Sequence, residues 1–140
     1  MSKNNRTIKF RGYNKKNGVW LYGFYLQNRG AHFVCPDEFA DGTWWDDYEI
    51  DIESLGQFTG LQDIDGNDIY VGDAVVWKDG LKYLVTFWEG MFYASVEEFN
   101  EGIHGGYPLW VLCDVNDAWK PCRIVGNSYN TEKDGKTEFQ

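Results

Sequence analysis

The first thirty residues contain no aspartate and no glutamate, and the whole chain has no apolar run long enough to cross a bilayer. The opening Met1-Ser2-Lys3-Asn4-Asn5-Arg6 lacks the apolar core of a secretory signal, so a cytoplasmic protein is expected. Histidine is limited to two residues, and the serines (Ser2, Ser54, Ser95, Ser128) lie in no Gly-x-Ser-x-Gly elbow, which leaves little material for a catalytic triad. Gly102-Ile103-His104-Gly105-Gly106 has neither the spacing nor the following Lys-Ser/Thr of a phosphate-cradling loop. Cysteine occurs three times, at Cys35, Cys113 and Cys122, with no Cys-x-x-Cys pair. Together with His32 these could supply soft ligands only by coincidence of folding, and an odd count of thiols suits a reducing compartment. No metal, no cofactor and no enzymatic activity are therefore expected.

What is abundant is aromatic: 7 Trp, 9 Tyr and 9 Phe in 140 residues, a content that favours strands over helices. The length allows one domain, or two intimately packed halves, with a core that needs no staples. The centre of the chain is Phe58 to Trp77. Asp65-Gly66-Asn67 and Val71-Gly72-Asp73 supply the positive-φ positions of tight reversals, and Ala74-Val75-Val76-Trp77 reads as a strand covered on both faces. Gly60, Gly66 and Gly72 are expected to serve backbone geometry there, and Asp73 to close a turn by accepting neighbouring amides. Three carboxylates beside Gly66 superficially suggest a calcium loop. An EF-hand needs Gly at its sixth place and Glu at its twelfth, whereas here they fall to the fourth place and to Ala74, so a hairpin turn is favoured.

Read in order, Thr7 to Tyr13 alternates Ile8 and Phe10 inward with Lys9 and Arg11 outward. Val19 to Leu26 is apolar on both faces and so expected to be covered on both, with Asn17-Gly18 at the hairpin tip. His32 to Cys35 is a short strand. From Asp37 to Glu53 eight acids surround Trp44-Trp45, and this density of like charge reads as an exposed loop that rejoins the sheet between Tyr48 and Ile52. Ser54 to Thr59, Lys82 to Trp88, Met91 to Ser95, Leu109 to Val115 and Arg123 to Gly126 read as further strands, joined by short glycine turns. Val96 to Glu101 could form one helical turn, Gly102 to Pro108 a loop, and residues 131–140 a disordered tail.

Three pieces of this chain resemble the YopX family, small phage and prophage proteins whose biochemical role is not established. Ile8-Lys9-Phe10-Arg11-Gly12-Tyr13-Asn14-Lys15-Lys16 is similar to the family's opening Ile-Lys-Phe-Arg-Ala-Trp-Asp-Lys. Gln57-Phe58-Thr59-Gly60-Leu61-Gln62-Asp63, with Gly66, Ile69-Tyr70 and Gly72-Asp73, resembles its central Gln-Tyr-Thr-Gly-Leu-Lys-Asp segment and the Ile-Tyr-Glu-Gly-Asp that follows. Ile124-Val125-Gly126-Asn127-Ser128-Tyr129 resembles its closing Val-Ile-Gly-Asn-Ile-Tyr. The pieces fall in family order, and the polar Asn130 to Gly135 departs from the apolar segment that often follows in the family. The resemblance implies an all-β fold, with minor helix at most, in which a small SH3-like barrel fills the second half. The expected division is residues 1–57 as an N-terminal β subdomain packed on a barrel of residues 58–130. The resemblance implies no reaction.

Charge adds a functional hint. Residues 1–30 carry Lys3, Arg6, Lys9, Arg11, Lys15, Lys16 and Arg29, whereas the remainder holds the other 6 basic groups and all 22 acidic ones. Such asymmetry is expected either to lay the basic start against an acidic surface of the same chain or of a neighbour, or to be a salt-screened scatter of surface charges. The expected function is a non-enzymatic, phage- or prophage-encoded accessory protein of the host cytoplasm that binds a protein partner and itself, with Trp44, Trp45, Asp46, Asp47 and Glu49 as the candidate face. The alternative is a single-stranded nucleic-acid binder using Lys9, Arg11, Lys15 and Lys16. A third reading is a sugar hydrolase, since paired carboxylates beside aromatic platforms are how that chemistry is arranged.

Overall fold

The computed structural model describes residues 7–96, 105–114 and 121–129. The protein is mostly β, in antiparallel sheets, and divides into two compact units at Gly60, a little beyond the boundary expected at residues 57/58. The helical turn expected over Val96 to Glu101 and the tail 131–140 fall outside the described residues, apart from Val96, which ends a strand.

The first unit is built on β1 (Phe10–Asn14), β2 (Val19–Asn28), β3 (Ala31–Cys35) and the start of β4 (Asp51–Gln62), in the order β3-β2-β1-β4. β1 and β2 form the expected hairpin, with Asn14 opposite Val19 and Gly18 at φ 68°, where its N–H donates to the Asn14 carbonyl at 2.8 Å. After β3 the chain lies back along that strand. Val34 donates to the Tyr48 carbonyl at 3.0 Å and Ile50 to the His32 carbonyl at 2.9 Å, so Tyr48 to Ile50 rejoin the sheet. Phe33, Cys35 and Tyr48 form the buried centre.

Two expectations for this unit fail. Ile8 is 60% exposed and Arg11 only 7%, the reverse of the alternation read from the sequence, because β1 starts at Phe10 and the Arg11 guanidinium lies 4.9 Å from the Trp20 ring. β2 is flanked by β1 and β3 as a central strand should be, yet Tyr22 and Phe24 are about half exposed. Their aromaticity suits a pleated surface and cross-strand neighbours, and does not by itself report burial.

The second unit holds the end of β4, β5 (Asp68–Tyr70), β6 (Asp73–Val76), β7 (Lys82–Trp88), β8 (Met91–Val96), β9 (Gly106–Pro108), α1 (Leu109–Leu112) and β10 (Arg123–Asn127). Its sheet runs β10-β6-β7-β8-β9, and among the described residues no pairing joins β9 to β10 to close a barrel. Ile69, Val75, Tyr83, Val85, Ala94, Leu109, Leu112 and Cys122 are essentially fully buried in one core, with Trp77 at its margin.

The strand expected over Leu109 to Val115 is instead the single turn α1, preceded by β9 where a loop was read. Pro108, at φ −53°, ends β9 and admits the helix, and helical spacing puts Leu109 and Leu112 together in the core while Trp110 stays exposed.

The turns expected to organise the centre of the chain have specific anchors. Gly60, Gly66 and Gly72 sit at φ 86°, 84° and 102°. The buried Asp73 accepts the Tyr70 amide at 2.8 Å. Asp63 does more: one carboxylate oxygen accepts the Asp65 and Asn67 amides, both at 2.9 Å, and the other accepts the Ile124 amide at 3.0 Å, tying the reversal to β10. Burial pushes the Asp63 carboxyl up, but the three backbone N–H groups outweigh it and hold it below the ordinary aspartate value. The carboxylate thus serves the turn, and among the described residues no group of acidic, cysteine or histidine side chains is arranged to hold a cation.

Candidate functional site

The acidic segment is anchored at Tyr48. Its ring is buried and its hydroxyl accepts the Ala40 amide at 3.0 Å and lies 2.9 Å from the Thr43 hydroxyl, so one side chain gathers the preceding loop. Phe39 packs on Tyr48 with ring centroids 4.3 Å apart and on Trp45 at 4.9 Å, and Trp45 meets Phe33 at 5.4 Å. The charge density that suggested an unstructured stretch is thus offset by an aromatic cluster of the segment's own, continuous with β3.

A single 3-10 turn, Trp45–Asp47, follows Trp44. Asp47 clasps it: its amide donates to the Trp44 carbonyl at 2.9 Å, and its carboxylate accepts the Trp44 amide at 2.9 Å. The same carboxylate accepts from the Asn17 side chain at 3.0 Å and from Lys16 Nζ at 2.9 Å, both on the β1–β2 turn. Those bonds, from Asn17, the Trp44 amide and Lys16 in that order, lower the Asp47 carboxyl to about 2. Lys16 is correspondingly raised by Asp47 and Asp46, the latter 3.1 Å away. From below, the buried Asn14 donates its side-chain amide to the Asp46 and Glu49 carbonyls at 3.1 and 2.7 Å.

Between the β1–β2 turn, the start of β3 and the acidic segment lies a cleft of about 400 Å³, lined by Lys15, Lys16, His32, Asp46, Glu49 and Asp51 among others. Lys15 pairs with Asp51 at 3.2 Å, and His32 Nδ1 is 2.6 Å from the Tyr25 hydroxyl, with the two rings stacked. Glu49 is exposed, with no cation against its carboxylate among the described residues.

The five residues expected to bind a protein are thus together on one segment but in different roles. Trp44 is 74% exposed and turned outward, and Trp45 is half exposed within the aromatic cluster. Asp46 and Asp47 pair with Lys16, and Glu49 lies at the cleft. The four basic residues of the alternative site are not displayed as one set. Lys9 Nζ lies 4.8 Å from the Phe58 ring centroid, Arg11 is buried against Trp20, and Lys15 and Lys16 face carboxylates. Sequence reading missed Asn14, Phe39 and Tyr48. Asn14 opens an Asn-Lys-Lys-Asn-Gly turn, where a side chain bonding its own backbone is expected, and its Oδ1 accepts the Asn17 amide at 2.7 Å. Phe39 and Tyr48 had no signal beyond hydrophobicity amid the acids.

Compared with protein families, the chain is matched over residues 9–133 by the model described as YopX protein. The chain belongs to the YopX family. The match spans both units, from β1 through β10, and this membership fits a phage-associated protein. Compared with curated proteins, the YopX-family chain has no match. Among the described residues no helix is long and apolar enough to cross a membrane.

Proposed function

We propose that this YopX-family chain is a non-enzymatic protein-binding module, encoded by a phage or prophage and acting in the cytoplasm of the host bacterium. The observation that carries this is the state of Trp44: its side chain is mostly in solvent while its backbone is fixed at both the N–H and the C=O by Asp47. A large aromatic left in water on a fixed backbone is costly for a protein to keep and useful mainly as an anchor. Burying it in a partner gains apolar area, and little conformational freedom is left to lose. Glu49, exposed on the same segment, gives that surface its negative charge, so the partner surface is an apolar pocket bordered by basic groups, on another protein or on a second copy of this chain.

A two-carboxylate hydrolase is less well supported. Asp46 and Asp51 each face a lysine, which leaves Glu49 alone in the cleft where a pair of carboxylates has to act. A single-strand binder needs its cations presented together, and Arg11 is buried.

The test is capture from infected host cells on immobilised wild type and Trp44→Ala, with sedimentation of each free protein. The reading expects a protein species, or self-association, that is present with wild type and lost with Trp44→Ala at unchanged Tm. Equal capture by both, or retention that disappears on nuclease treatment, refutes it.

A further inference from the structure

Cys113 and Cys122 lie nine residues apart, and neither enters the binding site proposed above. Cys113 ends α1, its amide donating to the Trp110 carbonyl at 3.2 Å. Cys122 immediately precedes β10, its amide donating to the Leu112 carbonyl at 2.8 Å and its carbonyl accepting the Ile64 amide at 2.8 Å. The backbone on either side of the pair is therefore held in register, and both thiols are buried in one core cluster with Leu109 and Leu112. Both are reduced, and the third thiol, Cys35, belongs to the core of the other unit.

We infer that Cys113 and Cys122 are a redox-responsive pair that closes to an intrachain disulfide when a hydroperoxide reaches them. The Cys122 amide bonds to the carbonyl that immediately precedes Cys113, which keeps the two Cα atoms close enough for a bridge, and both side chains enter the same core cluster. Within the pair the roles differ. Cys122 beside it holds the Cys113 thiol below its ordinary value against the opposing effects of burial and of Asp63, while Cys113 and burial push Cys122 up. Cys113 is also the less buried of the two.

Cys113 is therefore the attacking sulfur. Its thiolate bonds to one oxygen of the hydroperoxide and the O–O bond breaks; the departing oxyanion, hydroxide from hydrogen peroxide or alkoxide from an alkyl hydroperoxide, takes up the proton the Cys113 thiol released and leaves as water or alcohol, with Cys113 as a sulfenic acid. The Cys122 sulfur then bonds to the Cys113 sulfur, the S–O bond breaks, and hydroxide leaves with the Cys122 proton as water. Two thiols lose two electrons and the peroxide gains them. The bridge fastens the end of α1 to the start of β10 and shortens the unfolded chain, so the oxidised form is the more heat-resistant one.

The test needs no mutation. Folded protein is titrated with hydrogen peroxide, quenched, unfolded and alkylated, and its peptides are mapped by mass. Free thiols are expected to fall from three to one, with Cys35 alone alkylated, a linked Cys113–Cys122 peptide, and a rise in Tm that a dithiol reductant reverses. Three remaining thiols, a bridge that includes Cys35, or a link between chains overturns the inference. In Cys122→Ser, the same treatment is expected to leave Cys113 as a sulfenic acid trapped by a cyclic 1,3-dicarbonyl reagent. If that variant does not fold, Cys35→Ala serves, and it must lose both remaining thiols together.

Discussion

Asp63 supports a prediction whose magnitude can be worked from its contacts. The residue is 6% exposed and its carboxylate accepts three backbone N–H bonds, from Asp65, Asn67 and Ile124. Hydrogen bonds to a charged group contribute roughly 1.5–3 kcal/mol each. They are not additive, and the Asp65 and Asn67 amides sit on exposed residues that water can reach once the carboxylate is gone. Asp63→Ala is therefore expected to destabilise the second unit by about 3 kcal/mol, well short of the summed bonds. Asp63→Asn keeps an oxygen for the two turn amides but points an NH₂ at the Ile124 N–H, for a loss of about 2 kcal/mol.

The pH dependence has a definite sign. The folded carboxyl is held below its unfolded value, so its contribution is fully present above the unfolded pKa and is lost as pH falls through the folded one. Wild type should lose stability on acidification below pH about 4 more steeply than Asp63→Asn does. Amide exchange by NMR reads this locally: Ile124, Asp65 and Asn67 should lose protection in Asp63→Asn, with Ile124 most affected. Stability within about 0.5 kcal/mol of wild type for Asp63→Ala, or identical acid slopes for wild type and Asp63→Asn, would refute the assignment of Asp63 as the anchor.

Other outcomes follow from the same contacts. Gly23→Ala places a methyl 2.0 Å from the Cys35 carbonyl oxygen, so β2 and β3 must separate; a loss of about 3 kcal/mol or failure to fold is expected in denaturant titration. Leu112→Ala, which empties a fully buried site, is expected to cost about 3 kcal/mol by the same measurement. Asp47→Ala removes the clasp on Trp44, and faster hydrogen exchange of the Trp44 and Asp47 amides by NMR is expected. The wild-type clasp, with its carboxyl at about 2, should persist on acidification until pH approaches that value. Glu49→Gln is expected to leave thermal unfolding unchanged, because its carboxylate is exposed with no cation against it among the described residues.

Much of the sheet was legible because its signals are local. Gly18 at the first hairpin tip, Gly66 and Gly72 in the central turns and Gly90 after Glu89 sit at positive φ, and each reversal places a strand on either side. α1 was not legible. Four residues, Leu-Trp-Val-Leu, are too few to display a helical period, and their apolar content equally suits a strand. Arg11 failed for a related reason: alternation assigns faces by polarity, and a guanidinium stacked on Trp20 is both charged and buried. The proximity of the two cysteines was invisible as well, since the spacing of Cys113 and Cys122 matches no ligand or redox motif and the pairing of Leu112 with Cys122 brings them together.

The charge asymmetry shows how a correct reading of composition can still leave the functional group undecided. A basic start and an acidic remainder require a meeting of opposites, but composition does not say which acids remain after it. Here the tip of the basic hairpin is spent inside the chain, Lys15 on Asp51 and Lys16 on Asp46 and Asp47. Exposed pairs of this kind add little stability, and their effect is positional, fixing the acidic segment against the β1–β2 turn. The residues left over after that docking are Trp44 and Glu49, one apolar and one anionic, on a segment whose backbone no longer has freedom to lose. Under the protein-binding function proposed above, the partner is recognised first by the fit of one indole, with charge setting orientation and approach.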